Sequence, residues 1–264
     1  MSDRPIARAF DAARGAGRAA LIPYYTAGFP TRAACLDALR GAPAAGADLV
    51  EVGIPFSDPL ADGPTIQRST QTALEQGMTV AGVLQLVREA RLDIPVVLMT
   101  YVNPVLAYGV EKFAAAARAA GVAGVLFTDL PAGAAPELER AVADADLDLI
   151  RLVAPTTTDE RLRAAVAGAG GFIYLISRLG VTGARPDAPA DLERLVRRLR
   201  AVTRLPIAVG FGISTPAHAA AAARWADGVV VGSALVDALG AGGLAAAGRL
   251  LEALAGAVAT RGAA

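Results

Sequence analysis

The chain alternates short, almost wholly apolar runs with longer segments whose apolar residues recur every three to four positions. The short runs predict strands at Leu21–Thr26, Asp48–Val52, Val96–Thr100, Gly124–Phe127, Leu149–Leu152, Phe172–Ile176, Ile207–Gly210 and Gly228–Val231. Most are continuous rather than alternating, the pattern of parallel strands buried on both faces. The segments between them, among them "TRAACLDALRGAPAAG", "TVAGVLQLVREARL" and "APADLERLVRRLRAVT", predict helices. Several open on Ser or Thr, whose side chains accept from free first-turn N–H groups, and several close at a glycine: Gly46, Gly121, Gly170. Eight such units point to an α/β fold, a (β/α)8 TIM barrel formed by residues 1–264 as a single domain, with an extra N-terminal helix. A fanned-out, doubly wound sheet is the alternative.

Composition narrows the picture. The formal net charge of 264 residues is zero, so no nucleic-acid footprint is visible. Cys35 is the only cysteine, which excludes an intrachain disulfide and a thiolate metal cluster. One cysteine and no secretory leader fit the cytoplasm. The arginine-rich, amphipathic N-terminus has the look of a transit peptide, but Asp3, Asp11 and the immediate run into a strand favour a first helix of the mature fold. No apolar run is expected to reach membrane-spanning length.

Candidate chemistry belongs where strands end. In "EVGIPFSDPLADGP" Glu51 lies inside an apolar run, near its C-terminal end, where it points into the barrel mouth. A buried acid paired with an arginine is the plainer reading of such a residue. The loop that follows shifts the balance: Pro55, Pro59, Gly63 and Pro64 stiffen it around Asp58 and Asp62. Asp62 can fold back over the mouth and face Glu51, and two carboxylates in different environments suit general acid and base work.

After the sixth, seventh and eighth strands come "SRLGVTGAR", "GFGIST" and "GSALV". Barrels bind phosphate at these places, because glycines let backbone N–H groups approach an anion and a helix N-terminus adds partial positive charge. Gly212, Gly232 and Ser233 are candidates; glycines serving only tight turns are the alternative. Arg178 and Arg185 flank the first of these loops. Tyr24, Tyr101, Phe127 and Phe211 end or follow strands and could line a slot for a flat ring, although packing alone explains most such aromatics. Tyr174 is either core or a hydroxyl reaching a site acid.

Absences exclude other chemistries. His218 is the only histidine, in a helical segment outside the barrel, so a several-histidine zinc aldolase site cannot be built. Lys112 is the only lysine and lies outside the strands, against a Schiff-base aldolase. No dinucleotide or Walker fingerprint is present. Carboxylates and a phosphate grip can still isomerise a substrate, or break a C–C bond when the substrate, for example an indole, supplies its own electron sink.

Together "EVGIPFSDPLADGPTIQ", "YVNPVLAYG", "GVLFTDLP", "LVAPTTTDERL", "YLISRLGVTGAR" and "VGFGIS" resemble the α subunit family of tryptophan synthase, in order over about residues 20–235. The resemblance implies a TIM barrel that cleaves indole-3-glycerol phosphate to indole and glyceraldehyde 3-phosphate. It implies no cofactor in this chain, with pyridoxal phosphate in a partner β subunit that receives the indole, and a heterotetramer of two α and two β chains. Glu51 and Asp62 match the family's catalytic acids. Tyr174 matches a tyrosine near the site, Thr182 and Gly183 the loop that closes over substrate, and Gly212 and Ser233 the phosphate site. Asp58, Pro59 and Asn103 match the surface that meets the β subunit. Tyr24 departs from the phenylalanine of many relatives. Another phosphate-binding barrel isomerase, or a catalytically weak subunit that activates its partner, are the competing readings.

Overall fold

The computed structural model describes residues 4–176, 188–210 and 212–259, with the backbone alone for 188–190. Among these, the order is α1 (Pro5–Gly15), β1 (Ala20–Thr26), α2 (Arg32–Gly41), β2 (Val50–Gly53), α3 (Pro64–Glu75), α4 (Val80–Ala90), β3 (Val96–Thr100), α5 (Val102–Tyr108), α6 (Val110–Ala119), β4 (Val122–Phe127), α7 (Pro136–Asp144), β5 (Asp148–Val153), α8 (Asp159–Ala165), β6 (Ile173–Ile176), α9 (Ala188–Arg200), β7 (Ile207–Gly210), α10 (Pro216–Ala223), β8 (Gly228–Val231) and α11 (Ser233–Val258). The strands close in sequence order into a parallel barrel, β8 pairing with β1. A TIM barrel is therefore the fold, and the open sheet is excluded. Thr31, Thr79 and Thr215 accept from Ala34, Gly82 and His218 N–H groups, so three helices start where a threonine replaces the missing intrahelical partner.

Every residue of β1 is buried, because alternate side chains serve different layers. Leu21 and Tyr25 pack outward against the helices, while Ala20, Ile22 and Tyr24 fill the barrel. The same alternation holds in β2: Val50 and Val52 lie in the outer layer, which turns Glu51 inward. Helix α1 plugs the bottom of the barrel with Ile6 and Phe10, Phe10 lying 5.5 Å from the Phe172 ring. Glycine makes room for the plug, since a Cβ at Gly228 would lie 2.9 Å from the Phe10 ring.

Three aspartates at the starts of strands tie this bottom face together. Asp48 receives both Arg18 Nη groups, at 2.6 and 2.7 Å, and the Leu21 N–H at 2.8 Å. Asp148 receives Arg4 at 2.8 Å, and Asp227 receives Arg200 and the Ile207 N–H. Each arginine thus pairs with a carboxylate that is buried or nearly so, although Asp148 Oδ2 has no hydrogen-bond partner among the described residues.

Two elements differ from the periodic reading. Helix α3 buries Ile66, Ser69, Thr70 and Ala73, so polar residues occupy half of its inner face. Helix α5 is seven residues long and carries Pro104 in its first turn, too short for a period to show. The expectation that no apolar run reaches membrane-spanning length is corrected by α11, which does so on length and mean hydropathy (1.4). It is the barrel's own helix: Gly243 breaks it (φ 66°), and buried Leu235, Leu239, Leu251 and Leu254 belong to the outer core layer.

Candidate active site

A cavity of about 330 Å³ opens at the C-terminal end of the strands. One end is lined by Tyr24, Glu51, Asp62, Ile66, Met99 and Tyr174, and the other by Gly212, Ile213, Ser214, Gly232, Ser233 and Ala234. Glu51 is 1% exposed and pairs in register with Tyr24 on β1 and Val97 on β3. Its Oε1 has no hydrogen-bond partner among the described residues. Burial, reinforced by the charge of Asp62, pushes its pKa up to about 8.

Asp62 reaches the same cavity from the β2–α3 loop. Pro64 at the first turn of α3 fixes where the helix begins, directly after Asp62 and Gly63. The Asp62 N–H donates to Pro59 O at 3.1 Å, and its carbonyl accepts from Gln67 Nε2 at 2.9 Å. Its Oδ2 accepts from the Tyr101 hydroxyl at 3.1 Å. Burial pushes the Asp62 pKa up to about 6, and the Tyr101 hydrogen bond opposes that rise. The two acids therefore share a cavity and are tuned differently, Glu51 held further toward its neutral form than Asp62.

The hydroxyls of Tyr24 and Tyr174 rest over Gly53 and Gly210 on the neighbouring strands, where any Cβ would collide with them. Both are fully buried, and burial raises both pKa values, so the phenols stay neutral.

At the far end, Gly212 has φ +86°, a left-handed conformation that favours glycine. Ser233 and Ala234 open α11, and their N–H groups precede the first intrahelical bonds, which start with Leu235 and Val236 donating to Gly232 O. Ser214 lines this end as well and lies 3.4 Å from His218 Nδ1. It was not singled out in the sequence, although "GFGIST" contains it.

Thr182, Gly183, Phe211, Arg178 and Arg185 lie outside the described residues. Asp58, Leu60 and Asn103 are exposed, with Pro59 partly covered between them. The Asp58 carboxylate accepts from Ser57 Oγ at 2.6 Å and does not line the cavity. Lys112, on α6, sits 4.7 Å from the centre of the Tyr108 ring at the end of α5 and does not line the cavity. A larger open cleft of about 940 Å³ lies at the opposite face, beside α1. Most of its charges are paired within the protein, Arg4 with Asp148, Arg14 with Asp11 and Glu139 with Arg151, and Arg204 lines it as well.

Fold and cavity together define the class: a TIM barrel with an acid pair at one end of the cleft at its strand C-termini and the N-terminus of α11 at the other. The chain belongs to the family described as tryptophan synthase alpha chain, whose model matches residues 10–257. It is 51% identical over 240 residues to the tryptophan synthase alpha chain of Acidiphilium cryptum (strain JF-5), covering 90% of this chain and 87% of that one. It is 52% identical to that of Caulobacter sp. (strain K31) over the same shares. A solved Mycobacterium tuberculosis tryptophan synthase chain superposes with a TM-score of 0.90 at 43% identity, covering 98% of this chain and 100% of that one. The Legionella pneumophila alpha chain gives 0.88 at 35%, covering 97% and 98%. The family cleaves indole-3-glycerol phosphate in tryptophan biosynthesis, and this chain is a lyase acting on that substrate.

Proposed function

We propose that Glu51 and Asp62 carry out the cleavage as an acid–base pair, with the phosphate held by Gly212, Gly232 and Ser233. The observation that carries this reading is the buried Glu51 carboxyl, its Oε1 without a partner among the described residues, sharing one cavity with a differently tuned Asp62. Neutral Glu51 gives its proton to the ring carbon that bears the glycerol phosphate chain. Positive charge then develops on the ring N–H, and the Asp62 carboxylate balances it. The bond between ring carbon and side chain breaks, and its electron pair returns to the ring as indole. The side-chain hydroxyl becomes the aldehyde of glyceraldehyde 3-phosphate and returns its proton to Glu51. Every proton is accounted for, and the enzyme ends as it began.

Indole then passes to a β subunit carrying pyridoxal phosphate, in an assembly of two α and two β chains in the cytoplasm; this chain carries no cofactor of its own. The partner surface comprises Asp58, Pro59 and Asn103. Its support is that Leu60 (92% exposed) and Leu106 (54%) are two of three large apolar side chains exposed among the described residues. They lie on the acidic loop and on α5, which Phe56 and Tyr101 bring into contact.

The test is indole release from indole-3-glycerol phosphate by the purified chain, alone and with a β subunit. Glu51→Gln and Asp62→Asn should each lose on the order of 10²–10⁴-fold in kcat. Release of an isomerised sugar phosphate instead of indole would defeat the reading. So would stimulation of the partner with no turnover by this chain.

A further inference from the structure

The Asp62 carboxylate rides on a loop whose neighbours Leu60 and Ala61 are exposed. Among the described residues it receives one hydrogen bond, from Tyr101. Tyr101 directly follows β3 and sits at the N-cap of α5, so barrel and helix fix its backbone together. Its ring packs against Phe56 of the acidic loop, 5.2 Å between centroids. Its hydroxyl oxygen accepts the Ala61 N–H at 2.9 Å, which leaves its own proton for Asp62 Oδ2 at 3.1 Å. One side chain thus holds the acidic loop at three consecutive levels: ring on Phe56, oxygen on Ala61, proton on Asp62.

We infer that Tyr101 is a positioning residue for Asp62, its hydroxyl orienting the carboxylate toward the ring end of the cavity and favouring its ionised form. The inference rests on the cleavage chemistry proposed above and adds a residue to it. A hydroxyl donating to a carboxylate stabilises the anion, and here it works against burial, which favours the neutral acid. The other ionisable groups facing Asp62 are Glu51 on β2, Tyr24 on β1 and Tyr174 on β6. Burial favours the neutral form of all three, and no ion pair to Asp62 forms among the described residues. Tyr101 is therefore the group whose removal most changes the ionisation of Asp62.

The experiment follows indole release from indole-3-glycerol phosphate by the full chain across about pH 5 to 9, for wild type, Tyr101→Phe, Asp62→Asn and the double variant. Phenylalanine keeps the stack on Phe56, and a circular dichroism melt reports the fold. In Tyr101→Phe, kcat should fall on the order of tenfold with KM within about twofold. The acid limb of the kcat/KM profile should move up by about one pH unit. The double variant should be no slower than Asp62→Asn alone, because the hydroxyl acts through the carboxylate. An unmoved acid limb, or rate losses that multiply in the double variant, would overturn the positioning role while leaving the cleavage reading intact. Failure of the wild-type chain to release indole would overturn both.

Discussion

Glu51 owes its chemistry to strand parity. An acid between Val50 and Val52, two residues of the outer layer, has nowhere to point but the barrel interior, and there its Oε1 loses water without gaining a partner among the described residues. In the proposed mechanism the productive form pairs neutral Glu51 with ionised Asp62. Both pKa values are raised, Asp62 to about 6 and Glu51 to about 8, so this form fills the window between them. A bell-shaped kcat/KM profile is expected: activity lost below about 6 as Asp62 takes a proton, and lost above about 8 as Glu51 gives one up. The limbs belong to the coupled pair. Activity that kept rising through the alkaline limb would assign the roles differently. Glu51 and Asp62 were legible in the sequence because an acid in an apolar run and a proline-stiffened loop are local signals. The Tyr101 hydroxyl was not. It meets Asp62 across 39 positions of sequence, and its type alone read as ring lining.

At the level of elements, the eight strands were legible because burial on both faces leaves nearly unbroken apolar runs. Their ends shift by a residue or two: the second was expected at Asp48–Val52 and forms at Val50–Gly53. Helices α3 and α5 escaped, one through a polar inner face and one through brevity. The Asp48–Arg18 pair belongs to the barrel's bottom, where charged residues serve stability rather than turnover. Arg18→Ala leaves a carboxylate, 11% exposed, with only the Leu21 N–H and water. A loss of about 1–3 kcal/mol is expected in urea unfolding, with kcat unchanged. An equal fall in kcat would mean that this face communicates with the site.

The whole molecule divides its labour along the barrel axis. Helix α1 and the three aspartate–arginine pairs close one end. The other end holds the cavity, the N-terminus of α11 and the exposed Leu60 and Leu106. One loop joins chemistry to the proposed partner surface, because Asp62 and Leu60 are two residues apart. The most direct measurement is a crystal structure of the chain with a non-cleavable indolyl-alkyl phosphate. The ring should lie between the Glu51 and Asp62 carboxyls, its N–H toward Asp62, with the phosphate against Gly212 and the first turn of α11. A ring bound away from both acids, or a phosphate held at the opposite face beside Arg4 and Arg14, would contradict the proposed mechanism.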